Sequence, residues 1–176
     1  MSPRVDRLIR HLSVAVAAGL VLAVAATAAY IARPGEAKAA GTAPESRPAY
    51  LAGETIDVPA DWYGGAPHTL IVFARASCGA CLKAHPFLRT LVAGMEGRGT
   101  AVMAHPPGTE VEDGKFAGSL GVTEANTHVV TRDMRVRATP TLVLVARDGT
   151  IVHAWEGVGP PEDHPTIAAA IDAALR

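Results

Sequence analysis

The sequence predicts an α/β fold, a central mixed sheet flanked by helices, preceded by one N-terminal transmembrane helix. Three observations carry that prediction. Short Val/Leu/Ile blocks alternate with helix-period segments from Thr69 onward. An Asp-Gly turn joins the last two such blocks. An uncharged apolar run extends from Leu12 to Ala32.

The apolar run is long enough to cross a hydrocarbon core of ~30 Å as a helix. Arg4, Arg7 and Arg10 precede it, and Arg33, Glu36 and Lys38 follow as a nearly neutral mix. The positive-inside bias then places residues 1–11 in the cytoplasm and everything after Ala32 outside. Two readings compete for the segment. Ala25-Ala26-Thr27-Ala28 offers the small residues of a signal-peptidase site. The length of the run and Tyr30 at its end favour an uncleaved signal anchor over 12–32. Both give one address, beyond the cytoplasmic membrane. Residues 33–50 have the Pro/Gly/Ala/Ser composition of a linker, which leaves 51–176 as the folded domain.

Within that domain Thr69–Ala74 (TLIVFA) is continuously apolar and β-branched, as a buried strand requires. Leu82–Ala93 carries Leu82, Leu88, Leu91 and Val92 on helical spacing, with Pro86 inside. Thr100–Ala104 reads as a second strand, stopped by His105-Pro106-Pro107-Gly108, with His105 in the loop. Glu112–Leu120 reads as a short helix, and 128–131 as a short strand. Thr141–Val145 and Thr150–Trp155 are strands joined at Asp148-Gly149, a strong hairpin signal. Pro165–Leu175 closes the domain as a helix, with Pro165 suited to its first turn. The first half thus supplies a right-handed βαβ crossover and the second an antiparallel hairpin.

Composition narrows the function. A net charge of −1 and 5% aromatic residues offer neither the cationic surface nor the stacking platform of a nucleic-acid binder. There are two cysteines, Cys78 and Cys81. A disulfide framework carries more, at wider spacing, and a structural zinc site needs a second ligand pair. Cys78 stands at a strand-to-helix junction, where free N–H groups and the helix dipole favour a thiolate. Cys81 lies one turn further, within disulfide reach. The pair has the form of an exposed nucleophile and a resolving thiol. Half of a metal site and an inert disulfide are the plainer alternatives, which the junctional position and the extracytoplasmic address disfavour. Thr139-Pro140 opens a strand. Proline is confined to strand starts and edges, and X-Pro bonds are the only common cis peptides. A cis bond there would turn the Thr139 backbone toward a substrate adding as a strand.

The stretches TLIVFARASCGACLKAHPFLRTL and VRATPTLVLVARDGTIVHAWEGVG resemble the thioredoxin superfamily, above all its membrane-tethered TlpA/ResA-like thiol–disulfide oxidoreductases. The match runs from about Thr55 to Arg176. Pro86 stands at that family's helix-kinking proline, Thr139-Pro140 at its cis-proline and Gly157 at its glycine after the last strand. The resemblance implies a thioredoxin-like fold, catalytic Cys78 and Cys81 forming a redox-active disulfide, and substrate contacts at Thr139 and Pro140. It implies no metal and no cofactor. Its partners would be protein thiol/disulfide substrates and a membrane electron-donor protein. The sequence departs from the family pattern at Ser77, where Trp is usual, at Val72, where thioredoxins bury an Asp, and at Ala84, where the cytochrome-maturation branch has Glu. No side-chain base for Cys81 is therefore evident. Gly79-Ala80 lacks the His of strongly oxidising relatives, which leans toward a reductant role such as cytochrome c maturation. The alternative is a thioredoxin-like module that holds copper or a partner without turnover, with His85 as an added ligand. A peroxide reductase is a weaker third reading. Arg75, Glu112, Asp113 and Glu124 read as solvated, Trp62 and Trp155 as covers for core edges.

Overall fold

The computed structural model describes residues 50–130 and 135–176. The expected cytoplasmic stretch 1–11, transmembrane segment 12–32 and nearly all of the linker 33–50 lie outside the described residues. Among the described residues no helix is long and apolar enough to cross a membrane.

Among the described residues five strands and three α-helices follow in chain order: β1 (His68–Phe73), α1 (Gly79–Gly94), β2 (Thr100–His105), α2 (Glu110–Leu120), β3 (Thr127–Val129), β4 (Thr141–Ala146), β5 (Ile151–Glu156) and α3 (His164–Ala174). They build one mixed sheet in the order β3-β2-β1-β4-β5. β2 runs parallel to both β1 and β3. β4 runs antiparallel to β1 and β5. The expected α/β architecture of a mixed sheet with flanking helices is thus observed.

β1 is continuously apolar because both of its faces are covered. Leu70 and Val72 point to one face, Ile71 and Phe73 to the other. The chain steps from β1 to β2 to β3 in one direction across the sheet. Two right-handed crossovers in the same direction put their helices on the same face. Accordingly Leu88 of α1 and Phe116 and Leu120 of α2 share a buried cluster with Leu70, Val72 and Met103. Ile167 and Ile171 of α3 join the same cluster. The opposite face is closed by Tyr50, Ile56, Val58 and Trp62 of the segment before β1, packed on Ile71, Val102, Val143 and Val145. That segment is pinned to the β4–β5 hairpin by a Thr55–Thr150 bridge. In the hairpin turn Gly149 has φ +87°, which favours glycine, and Asp148 Oδ1 accepts the Thr150 N–H at 2.9 Å.

Two expectations are corrected. His105 is not in a loop: it ends β2, pairs with Val129 and is 3% exposed. The strand stops at Pro106, which has no N–H to donate, one residue later than expected. Asp113 is not solvated. It is fully buried on the inner side of α2, whereas Glu112 and Glu124 are exposed.

Candidate active site

The strand β1 ends at Phe73, and five residues later Cys78 caps the start of α1. Cys78 has an extended backbone (φ −84°, ψ 112°), and its carbonyl accepts the Leu82 N–H at 3.0 Å. Its sulfur takes the part of an N-cap oxygen, accepting the Cys81 N–H at 3.2 Å. One otherwise free amide of the first turn is thereby satisfied by the thiol itself. Cys78 is partly exposed, Cys81 fully buried, and both are thiols in this structure.

Thr139 closes the site from the other side. Its peptide bond to Pro140 is cis. Its hydroxyl donates to Cys78 Sγ at 3.2 Å, and its carbonyl lies 3.3 Å from the same sulfur. The carbonyl can be engaged only by the protonated thiol, since it offers no donor. The hydroxyl and the Cys81 N–H serve the thiolate. Pro140 is buried and Thr139 half-buried.

These contacts separate the two thiols. At Cys78 partial burial pushes the pKa up. Hydrogen bonds from the Cys81 and Thr139 side chains and from the Cys81 and Ala80 backbones outweigh it, so the thiol lies below its ordinary value. At Cys81 burial dominates and the Cys78 thiol adds to it. The Arg75 backbone N–H and the Thr139 hydroxyl pull the other way, and the net value is pushed up to about 11. The pair is thus an ionisable outer thiol and a proton-retaining inner one. Val72 and Ala84, where relatives carry carboxyls, are buried in the same apolar cluster as Cys81.

Polar groups outside the pattern surround this turn. Asp113 Oδ1 accepts the Ala76 N–H at 2.5 Å. Its Oδ2 accepts the Thr109 hydroxyl at 2.5 Å and lies 3.3 Å from His105 Nδ1. His105 Nδ1 is also 2.9 Å from the Pro106 carbonyl, so this nitrogen carries the proton. A signal for Asp113 does exist in the sequence. It precedes Phe116, Ala117 and Leu120 by three, four and seven residues, which puts it on their buried stripe.

Beside Thr139 a pocket of about 360 Å³ opens at the C-terminal ends of β1 and β2, lined among others by Phe73, Arg75, His105, Val136 and Arg137.

The remaining sequence candidates separate cleanly. Arg75 is exposed, Trp62 is buried against the stacked ring of His128, and half-buried Trp155 stacks on His153. Ser119 donates its hydroxyl proton to the Phe116 carbonyl at 2.6 Å. Its oxygen must then accept from His85 Nε2 at 2.9 Å, which leaves that nitrogen without a lone pair for a metal. Among the described residues no group of three or more His, Cys, Asp and Glu is disposed to hold a metal ion.

Comparison with known proteins follows the same lines. The family described as a thioredoxin-like domain matches residues 64–172. No curated protein matches the chain. Solved structures of similar fold include a candidate thiol:disulfide interchange protein DsbE from Chlorobium tepidum. It is 20% identical with a TM-score of 0.57, covering 73% of this chain and 100% of that one. The thioredoxin domain of a thiol-disulfide oxidoreductase from Bacteroides vulgatus is 17% identical with a TM-score of 0.54, covering 73% and 100%. A candidate protein disulfide isomerase from Bacteroides thetaiotaomicron is 19% identical with a TM-score of 0.52, covering 71% and 90%.

Proposed function

The chain belongs to the thioredoxin-like family, and from that premise we propose that it is a thiol–disulfide oxidoreductase acting on protein cysteines through Cys78 and Cys81. The observation that carries the reading is the asymmetry of the pair. Cys78 Sγ is reachable and held by donors, while Cys81 is buried and holds its proton up to about pH 11.

The Cys78 thiolate attacks one sulfur of a substrate disulfide. A Cys78–substrate bond forms, the substrate S–S bond breaks, and the departing thiolate takes up a proton. Cys81 then loses its proton and attacks Cys78 Sγ. A Cys78–Cys81 disulfide forms, the mixed disulfide breaks, and the second substrate thiol leaves. The substrate is reduced by two electrons and the pair oxidised by two. Thr139 and Pro140 form the wall against which the substrate backbone lies. Burial of Cys81 protects it from external oxidants while leaving it one turn from Cys78.

In the finer reading the domain works as a reductant outside the cytoplasm. It is anchored by residues 12–32, joined through the linker 33–50, and recharged by a membrane electron-donor protein, with cytochrome c maturation or a similar pathway as its setting. The arginines before the apolar run, the absence of His between the cysteines and the resemblance to TlpA/ResA-like proteins support this. Insulin disulfide reduction tests the activity: wild type should reduce insulin and Cys78→Ala should not. Activity retained in Cys78→Ala overturns the assignment. A reduction potential near or below about −270 mV supports the reductant direction, and one near about −120 mV contradicts it.

A further inference from the structure

We propose that Asp113 is a positioning residue of this exchange site, holding from α2 the stretch of backbone that touches both cysteines. The proposal rests on the oxidoreductase reading above. The Arg75 carbonyl accepts the Cys78 N–H at 3.1 Å, and the Arg75 backbone N–H is among the groups that favour the Cys81 thiolate. The next amide, Ala76 N–H, is the one Asp113 Oδ1 accepts at 2.5 Å. A single carboxyl oxygen therefore fixes the peptide plane between Arg75 and Ala76, and with it the direction of the Arg75 carbonyl. The partners lie 37 residues apart in the chain, so no local turn would replace the bond.

The carboxyl is itself immobilised. Oδ2 accepts from Thr109 at 2.5 Å and lies 3.3 Å from His105 Nδ1. Asp113 is fully buried and His105 nearly so. A buried polar group with all of its partners in place is costly to disturb. The arrangement answers an absence in the sequence. With Val72 and Ala84 in place of carboxyls, no side-chain base meets Cys81 among the described residues, and its thiolate is favoured by the Arg75 backbone N–H and the Thr139 hydroxyl. Asp113 holds the peptide that follows the Arg75 N–H and carries the carbonyl contact to Cys78, without touching either sulfur.

The step that depends on this is resolution, when Cys81 becomes a thiolate and attacks Cys78. The test uses protein carrying glutathione on Cys78, with release of glutathione at pH 7 as the readout. One glutathione leaves as a thiol for each Cys78–Cys81 disulfide formed. Asp113→Leu removes the acceptor for Ala76 and should slow release about tenfold. Asp113→Asn keeps an oxygen for Ala76 and should stay within about twofold of wild type. Equal slowing in both variants, or none in Asp113→Leu, overturns the proposal. If Asp113→Leu does not fold, the Ala76 amide of the wild type decides. Its proton should resonate far downfield, exchange slowly, and shift when the pair is oxidised. An ordinary, rapidly exchanging amide overturns the proposal. A wild type that releases no glutathione refutes the oxidoreductase reading instead.

Discussion

The two thiols should differ in reactivity by a margin that can be worked from their surroundings. At pH 8 a thiol with the ordinary value of 9.0 is about 9% thiolate, and one at about 11 is about 0.1%. Cys78 lies below the ordinary value, so its thiolate fraction exceeds that of Cys81 by at least ~100-fold. Nucleophilicity falls with pKa at a Brønsted slope of about 0.4–0.5, which returns a factor of ~8 to Cys81 over two units. For a gap of two units the net advantage of Cys78 is therefore ~10-fold before access is counted. Full burial of Cys81 enlarges it further. The assay is timed iodoacetamide labelling of reduced protein, with the site read by peptide mass spectrometry. The sign of the pH dependence is also determined. A lowered pKa means the Cys78 rate rises with pH and levels off earlier than a free thiol's, with a midpoint below 9.0. Labelling of Cys81 at the same rate as Cys78, or a Cys78 midpoint at or above 9.0, would refute the reasoning.

Two further outcomes follow from single contacts. Thr139→Val removes the hydroxyl 3.2 Å from Cys78 Sγ; a hydrogen bond worth ~0.5–1.5 kcal/mol corresponds to a rise of ~0.4–1.1 in the Cys78 pKa, with Thr139→Ser restoring it, and an unmoved labelling midpoint contradicts the assigned donor. Gly99→Ala would bring a methyl to 2.5 Å from the His68 carbonyl oxygen and 2.7 Å from Met95 Cε. Overpacking of this kind costs about 1–3 kcal/mol, so urea denaturation should show that loss, and wild-type stability would contradict the close approach at the start of β2.

The parts of the fold legible in the sequence are those buried on both faces. β1, β2 and β4 are unbroken apolar blocks because helices cover one side and the 50–66 segment the other. β3 is harder to see. Its three residues, Thr127-His128-Val129, are all partly exposed and lie at the sheet edge, so no run of apolar residues marks them. The reactive pair is legible from position alone, since a strand end and a helix start frame Cys78. The contact between Cys78 and Thr139 spans 61 residues and enters the sequence reading only through family resemblance. Asp113 shows where local pattern misleads. Its neighbours Glu110 and Glu112 suggest a solvated acidic turn, yet the stripe with Phe116, Ala117 and Leu120 turns it inward. Its partners Ala76 and His105 come from two other elements, and no spacing rule links them. His105 is hidden by the prolines after it, which end the strand without removing His105 from it.

The central claim is that Cys78 carries the exchange and Cys81 resolves it. Trapping tests it most directly: Cys81→Ser is incubated with a disulfide-bonded protein substrate, and the products are resolved on a non-reducing gel and by intact mass. The account predicts a stable one-to-one adduct joined through Cys78, absent in the Cys78→Ser, Cys81→Ser double variant and released by dithiothreitol. No adduct with Cys81→Ser would contradict it.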